Sequence, residues 1–154
     1  MPRAIISDAS CFILFEKIGS LDLLTKTYGR VITTPTIKAE VRFELPEWVD
    51  VLTPTDRAQE MRLKERVDPG EASAITLALE IEDASLILDD LRARKLAKSL
   101  GLDVTGSVGV ILKAKSIGVI PSIRPVILAI RETSFQLSSQ IEREAFLLAG
   151  EDDK

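Results

Sequence analysis

Ser85-Leu86-Ile87-Leu88-Asp89-Asp90, then residues 91–100, then Gly101 and Asp103-Val104-Thr105, is the stretch that decides the fold. An apolar run without polar alternation predicts a strand buried on both faces. The charged segment after it reads as a helix that Gly101 ends, and Asp103-Val104-Thr105 reads as the next short strand. Strand, helix and strand in that order indicate a parallel sheet with helices on its faces.

The same alternation continues on both sides. Upstream, Ala4-Ile5-Ile6-Ser7 is a short apolar run ending at Asp8, and a helical pattern through Phe12, Ile13 and Phe15 follows until Gly19. A second helix begins at Leu21 and stops before Gly29, and β-branched Arg30-Val31-Ile32-Thr33 predicts a strand. Thr34-Pro35 reads as a cap followed by proline in the first turn, opening a helix to about Phe43. Trp48-Val49-Asp50-Val51-Leu52 predicts an edge strand, 56–66 a charged helix, and Asp68-Pro69-Gly70-Glu71 opens a strong helix to about Glu82. Downstream, Gly106-Ser107 opens a helix ending at Gly118. The expected architecture is α/β, a three-layer α/β/α arrangement around a short central parallel sheet, with C-terminal helices added. Residues 1–150 read as one domain with its core at about 4–118, a helical appendage at about 121–150, and a frayed tail at 151–154. In the appendage, Ile141, Ala145 and Leu148 share a helix face, expected to dock on the sheet or across a homodimer.

Composition removes whole classes of chemistry. The chain has 154 residues, no His and one Cys. That excludes His-based general acid–base catalysis, Ser-His-Asp and Cys-His arrangements, and multi-thiolate zinc clusters. What remains without His is a hard cation, Mg²⁺ or Mn²⁺, held by carboxylates. The net charge of −4 argues against coating of DNA but allows a local basic track. No apolar run approaches the ~20 residues of a membrane span. Met1-Pro2-Arg3 followed by Ala4-Ile5-Ile6 lacks a signal-peptide architecture, so a cytoplasmic location and no membrane partner are expected.

In open parallel sheets, sites form beyond the carboxyl ends of the strands. Asp8, Asp89-Asp90 and Gly106-Ser107 fall there, whereas Asp103 begins its strand and belongs at the opposite edge. Each acid also has an ordinary reading. Asp8 suits a helix N-cap. Glu40 shares a helical stripe with Ile37, Val41 and Glu44, and is expected to turn toward the core, paired with a cation or bound to metal. Glu71 completes a capping box with Asp68, yet is in register with Ala74, Ile75 and Ala78, while Gly70 permits close approach of a neighbour. Asp89 and Asp90 point to opposite sides, so one is expected at the metal and the other capping the helix from Leu91; Asp90 has the better position. Converging carboxylates raise each other's pKa unless a cation neutralises them. Arg92, Arg94, Lys95 and Lys98 on the following helix suit phosphates, although a solvated face is the commoner use of such a run.

These segments together resemble a PIN domain. The likeness rests on Ile5-Ile6-Ser7-Asp8-Ala9-Ser10, on Thr34-Pro35 leading to Glu40, on Gly70-Glu71-Ala72-Ser73-Ala74-Ile75, on Leu86-Ile87-Leu88-Asp89-Asp90 and on Thr105-Gly106-Ser107, across about residues 4–118. The resemblance implies a metal-dependent ribonuclease with Asp8, Glu40, Glu71 and Asp90 (Asp89 being the other candidate) as ligands of Mg²⁺ or Mn²⁺. It also implies support from Ser10 and Ser107. Many members carry Asp where this chain has Glu71. The expected function is an RNA-cleaving phosphodiesterase, in the family's manner the toxin of a toxin–antitoxin pair with an antitoxin partner. The alternative is a catalytically weak binding module for nucleic acid or protein. A phosphoacceptor receiver domain ranks last, because such domains need a Lys where this chain has Thr105-Gly106-Ser107.

Overall fold

The computed structural model describes residues 3–152; Met1-Pro2 and Asp153-Lys154 lie outside the described residues. Its sheet contains β1 (Ala4–Ser7), β2 (Val31–Thr33), β3 (Val49–Val51), β4 (Ala84–Ile87) and β5 (Asp103–Thr105), all paired in parallel in the order β3-β2-β1-β4-β5. Neighbouring residues of a strand face opposite sides of a sheet. Ile5, Ile6, Leu86 and Ile87 are nevertheless all buried, so both faces of the two central strands are covered. This is the three-layer α/β/α arrangement expected from the apolar runs, with the C-terminal helices added to it.

The covering helices are α1 (Ala9–Lys17), α2 (Asp22–Tyr28), α3 (Pro35–Glu40), α4 (Arg57–Leu63), α5 (Pro69–Glu80), α6 (Leu91–Ser99), α7 (Ser107–Ser116), α8 (Arg124–Arg131) and α9 (Ser139–Leu148). α2 packs with α7, and α5 packs with α3 and α4. Phe12, Phe15, Ile75, Ile111 and Phe146 are fully buried. Burying such side chains contributes about 1.5–3 kcal/mol each.

The helix starts follow from local chemistry. Asp8, Thr34, Asp56, Asp68, Asp90 and Ser138 each accept a hydrogen bond from a first-turn backbone N–H. A cap of this kind contributes about 1 kcal/mol. Several caps are carboxylates, so negative charge gathers wherever helices begin next to strand ends. The chain runs from β1 outward to β2 and β3, then returns to β4 and β5 on the other side. The order reverses between β1 and β4, where ligand crevices form in such sheets.

Three expectations change. α3 ends at Glu40, not near Phe43, because Val41 takes an extended conformation (φ −82°, ψ 126°). Glu40 is therefore exposed at the last turn and does not face the core. In α9 the buried pair is Ala145 and Phe146, while Ile141 and Leu148 remain exposed, so the face reaching the domain is rotated from the one expected. Glu151 is not frayed. Its carboxylate accepts from Lys115 Nζ at 2.7 Å, Ser122 Oγ at 2.6 Å and the Ile123 N–H at 2.9 Å. Asp103 does lie at the opposite edge of the sheet, where Arg3 bridges it to Asp83.

The Lys115 ammonium holds the Glu151 carboxyl down at about 2, against an ordinary 4.5. A carboxyl with a depressed folded pKa adds stability above its unfolded pKa and loses it as pH falls through the folded one. Glu151→Gln should therefore cost about 1–3 kcal/mol near neutral pH. The parent's advantage should shrink as pH drops from about 4.5 toward 2. Denaturant titrations of both proteins at several pH values check this.

A candidate carboxylate centre at the ends of β1 and β4

Asp8 follows the last residue of β1 and is 5% exposed. One carboxylate oxygen accepts from the Cys11 N–H at 2.9 Å, within its own helix. The other accepts from the Asp89 N–H at 3.0 Å, across the sheet. The cap reading is thus correct and incomplete, because the same side chain ties β1 to the turn after β4. The carboxyl is pushed up to about 8, first by burial and next by the charge of Asp89, with Glu71 contributing. Burial likewise drives the neighbouring Cys11 thiol well above its usual range.

Asp89 and Asp90 divide their work. Asp89 turns toward β5 and α7, accepting from the Ser107 N–H at 2.8 Å and from Ser107 Oγ at 2.6 Å. Asp90 caps α6 by accepting from the Ala93 N–H at 3.0 Å, and it remains exposed. Ser107 is therefore bonded to Asp89, the acid nearest Asp8 in electrostatic effect.

Glu71 is the acid that links the others. It completes the capping box, with Glu71 N–H donating to Asp68 and Asp68 N–H donating back to Glu71. Burial raises its carboxyl to about 7, with Asp68, Asp90 and Glu40 adding like charge in that order. Together with its effect on Asp8, this puts Glu71 in electrostatic reach of Asp8, Glu40 and Asp90.

Glu40 reaches this neighbourhood from the end of α3. Although the residue is exposed overall, its carboxylate is pressed against Gly70; a Cβ at Gly70 would come within 2.6 Å of Glu40 Oε1. Partial loss of water raises the Glu40 carboxyl, and Asp68 adds to it. The start of α5 is held to α3 by a buried contact that the sequence did not signal. Thr34 Oγ1 and Ser73 Oγ are 2.7 Å apart, and Ser73 Oγ donates to Gly70 O at 2.7 Å.

The remaining expected residues separate. Ser10 is exposed and lines a cleft with Ile13, Lys17 and Phe135; the bond to Asp8 comes from Cys11 instead. Arg92 and Lys95 line an open groove of about 1170 Å³ that also borders Glu71 and Asp90, whereas Arg94 and Lys98 do not. Arg94 turns inward. Its Nη1 and Asp89 Oδ1 each lie 3.1 Å from where a Gly106 Cβ would sit, so a side chain there would have to displace them by a few tenths of an ångström. Arg94 Nε is buried without a hydrogen-bond partner.

Among the described residues, no group of three or more Asp, Glu, Cys or His side chains is arranged to hold a metal ion. The donor chemistry still suits a hard cation. All the candidate ligands are oxygens, and the like-charge pressure on Asp8 and Glu71 is what a divalent ion would relieve.

A family model described as a PIN domain matches residues 4–151. The chain belongs to the PIN-domain family, whose members are generally nucleases. No curated protein and no solved structure matches it. No helix among the described residues is long and apolar enough to cross a membrane.

An acid with a folded pKa near 8 against an ordinary 3.8 weakens the fold as pH rises between those values, because the unfolded chain releases the proton first. Asp8→Asn cannot ionise. In metal-free buffer its stability relative to the parent should climb from about pH 4 to pH 8. Denaturation midpoints measured across that range check it, and a flat or falling difference would show that Asp8 is ionised in the fold.

Proposed function

We propose that this chain is a Mg²⁺- or Mn²⁺-dependent endoribonuclease, with Asp8, Glu40, Glu71 and Asp90 as the acids that hold the ion. The observation that carries the reading is the gathering of buried or half-buried acids, Asp8 and Glu71, raised first by burial and then by the like charge of their neighbours, at the point where the sheet order reverses. Membership of a family of nucleases supports the same chemistry.

Within this reading the residues have distinct duties. Glu71 and Asp8, each held above the ordinary carboxyl range, give up a proton as the ion binds. The Asp89 and Cys11 N–H groups fix the direction of the Asp8 carboxylate. Ser107 holds Asp89 in place so that this backbone N–H stays aimed at Asp8. Glu40 is positioned by Gly70, whose missing side chain leaves room for it. A bound divalent ion would polarise the phosphodiester and activate a water at neutral pH.

A second reading, a binding module with weak catalysis, draws support from the exposure of Glu40 and from the absence of a ready three-acid group among the described residues. Calorimetric titration separates the two: absence of Mn²⁺ binding favours the module.

With Mn²⁺, the purified protein should cleave single-stranded RNA internally, and EDTA should abolish cleavage. Outer-shell partners of metal sites typically cost 10–100-fold when removed, so Asp8→Asn and Glu71→Gln, as direct ligands, should each lose more than about 100-fold. Retention of parent-like rates by Asp8→Asn would overturn the assignment. The toxin role that the resemblance implies depends on the same activity; induction of the parent, and not of Glu71→Gln, should then arrest growth.

A further inference from the structure

The groove that borders Glu71 and Asp90 has two banks. One is α6, on which Arg92 and Lys95 stand three residues apart and so share a face. The other is the link between α4 and α5, which supplies Lys64 and Arg66. This second bank is far from α6 in sequence and comes opposite it because the chain crosses from β3 back to β4. The link is well fixed. Arg66 N–H and Val67 N–H both donate to Leu63 O, at 2.9 and 3.0 Å, and Leu63 and Val67 are buried in the core.

All four cations are exposed, and none makes an ion pair or side-chain hydrogen bond within the described chain. Carboxylates line the same groove without pairing to these cations: Asp68 and Glu71 cap α5, Asp90 caps α6, and Glu65 stands exposed between Lys64 and Arg66. Cations left unpaired beside acids, on a fixed backbone, are available to an anionic ligand. The groove exceeds the roughly 300–1000 Å³ of small-molecule pockets and is open, which suits an extended polymer. None of its lining residues is aromatic, so it offers no stacking platform for bases.

We propose that Lys64 and Arg66, facing Arg92 and Lys95, form a phosphate clamp that holds a single-stranded RNA backbone and feeds it toward Glu71 and Asp90 without reading its bases. The clamp rests on the nuclease reading for its choice of RNA, but its binding can be measured without cleavage. An acidic peptide has the charge to enter the same groove; the end of the groove at the proposed phosphodiester-cleaving acids favours RNA.

The test is fluorescence anisotropy of a labelled short polyuridylate, with Ca²⁺ in place of Mg²⁺, from about 50 to 200 mM salt. Each cation that neutralises a phosphate of a single strand contributes about 0.7 to the slope of log affinity on log salt. Lys64→Ala/Arg66→Ala should weaken binding roughly tenfold at the low-salt end and lower that slope by about 1.4. Arg92→Ala/Lys95→Ala should do likewise, while Lys98→Ala, outside the groove, should change neither. A mixed-sequence RNA should bind as the polyuridylate does. Thermal melts confirm that the variants are folded. Parent-like affinity and slope in the Lys64/Arg66 variant overturn the clamp, as does absence of RNA binding by the parent. Equal competition by polyglutamate also overturns it and assigns the groove to acidic peptides. Clamp-dependent binding without any cleavage in Mn²⁺ sustains the clamp and defeats the nuclease reading instead.

Discussion

The two hydrogen bonds to the Asp8 carboxylate, one from Cys11 and one from Asp89, are the constraint on which the candidate site depends. One bond starts α1; the other fixes the turn that leaves β4. Each such hydrogen bond contributes about 0.5–1.5 kcal/mol, and the pair fixes the orientation of an acid whose burial favours the neutral form. Through Asp89 the same chain of contacts continues to Ser107 and the start of α7. Three segments distant in sequence are thereby held by two adjacent carboxylates.

Helix caps and a metal centre compete for the same residue types, and this protein places both uses in one region. Asp8, Asp68, Glu71 and Asp90 are all engaged with backbone N–H groups at helix starts. The positive ends of those helices favour the anionic form. Burial and mutual repulsion oppose it, and at Asp8 and Glu71 the opposition wins. Capping accounts for the orientation of the acids, but it leaves their mutual repulsion in place. A divalent cation is the partner that would remove it.

Much of this was legible in the sequence because it depends on local chemistry. Thr34-Pro35 and Asp68-Pro69-Gly70-Glu71 announce their helix starts, and both form as read. Ser85 to Leu88 is buried throughout, as an apolar run in a covered sheet should be. Glu40 was misread because its helical stripe assumed continuation through Val41, and the extended turn there leaves the acid at the helix end. Arg94 was grouped with its neighbours as a phosphate contact. Its inward course brings it against Gly106, a residue on another element. Nothing local marks Lys64 and Arg66 as neighbours of α6, since a crossover brings them there.

The sequence by itself determined the parallel α/β class, the helix starts and the absence of imidazole chemistry, because periodicity, capping and composition act over a few residues. Tertiary structure alone decided which acids face one another, that Asp89 turns to Ser107 while Asp90 stays at its own helix, and which cations share a groove. Those outcomes depend on strand order and on the closeness of separate backbones, which no short stretch of chain encodes.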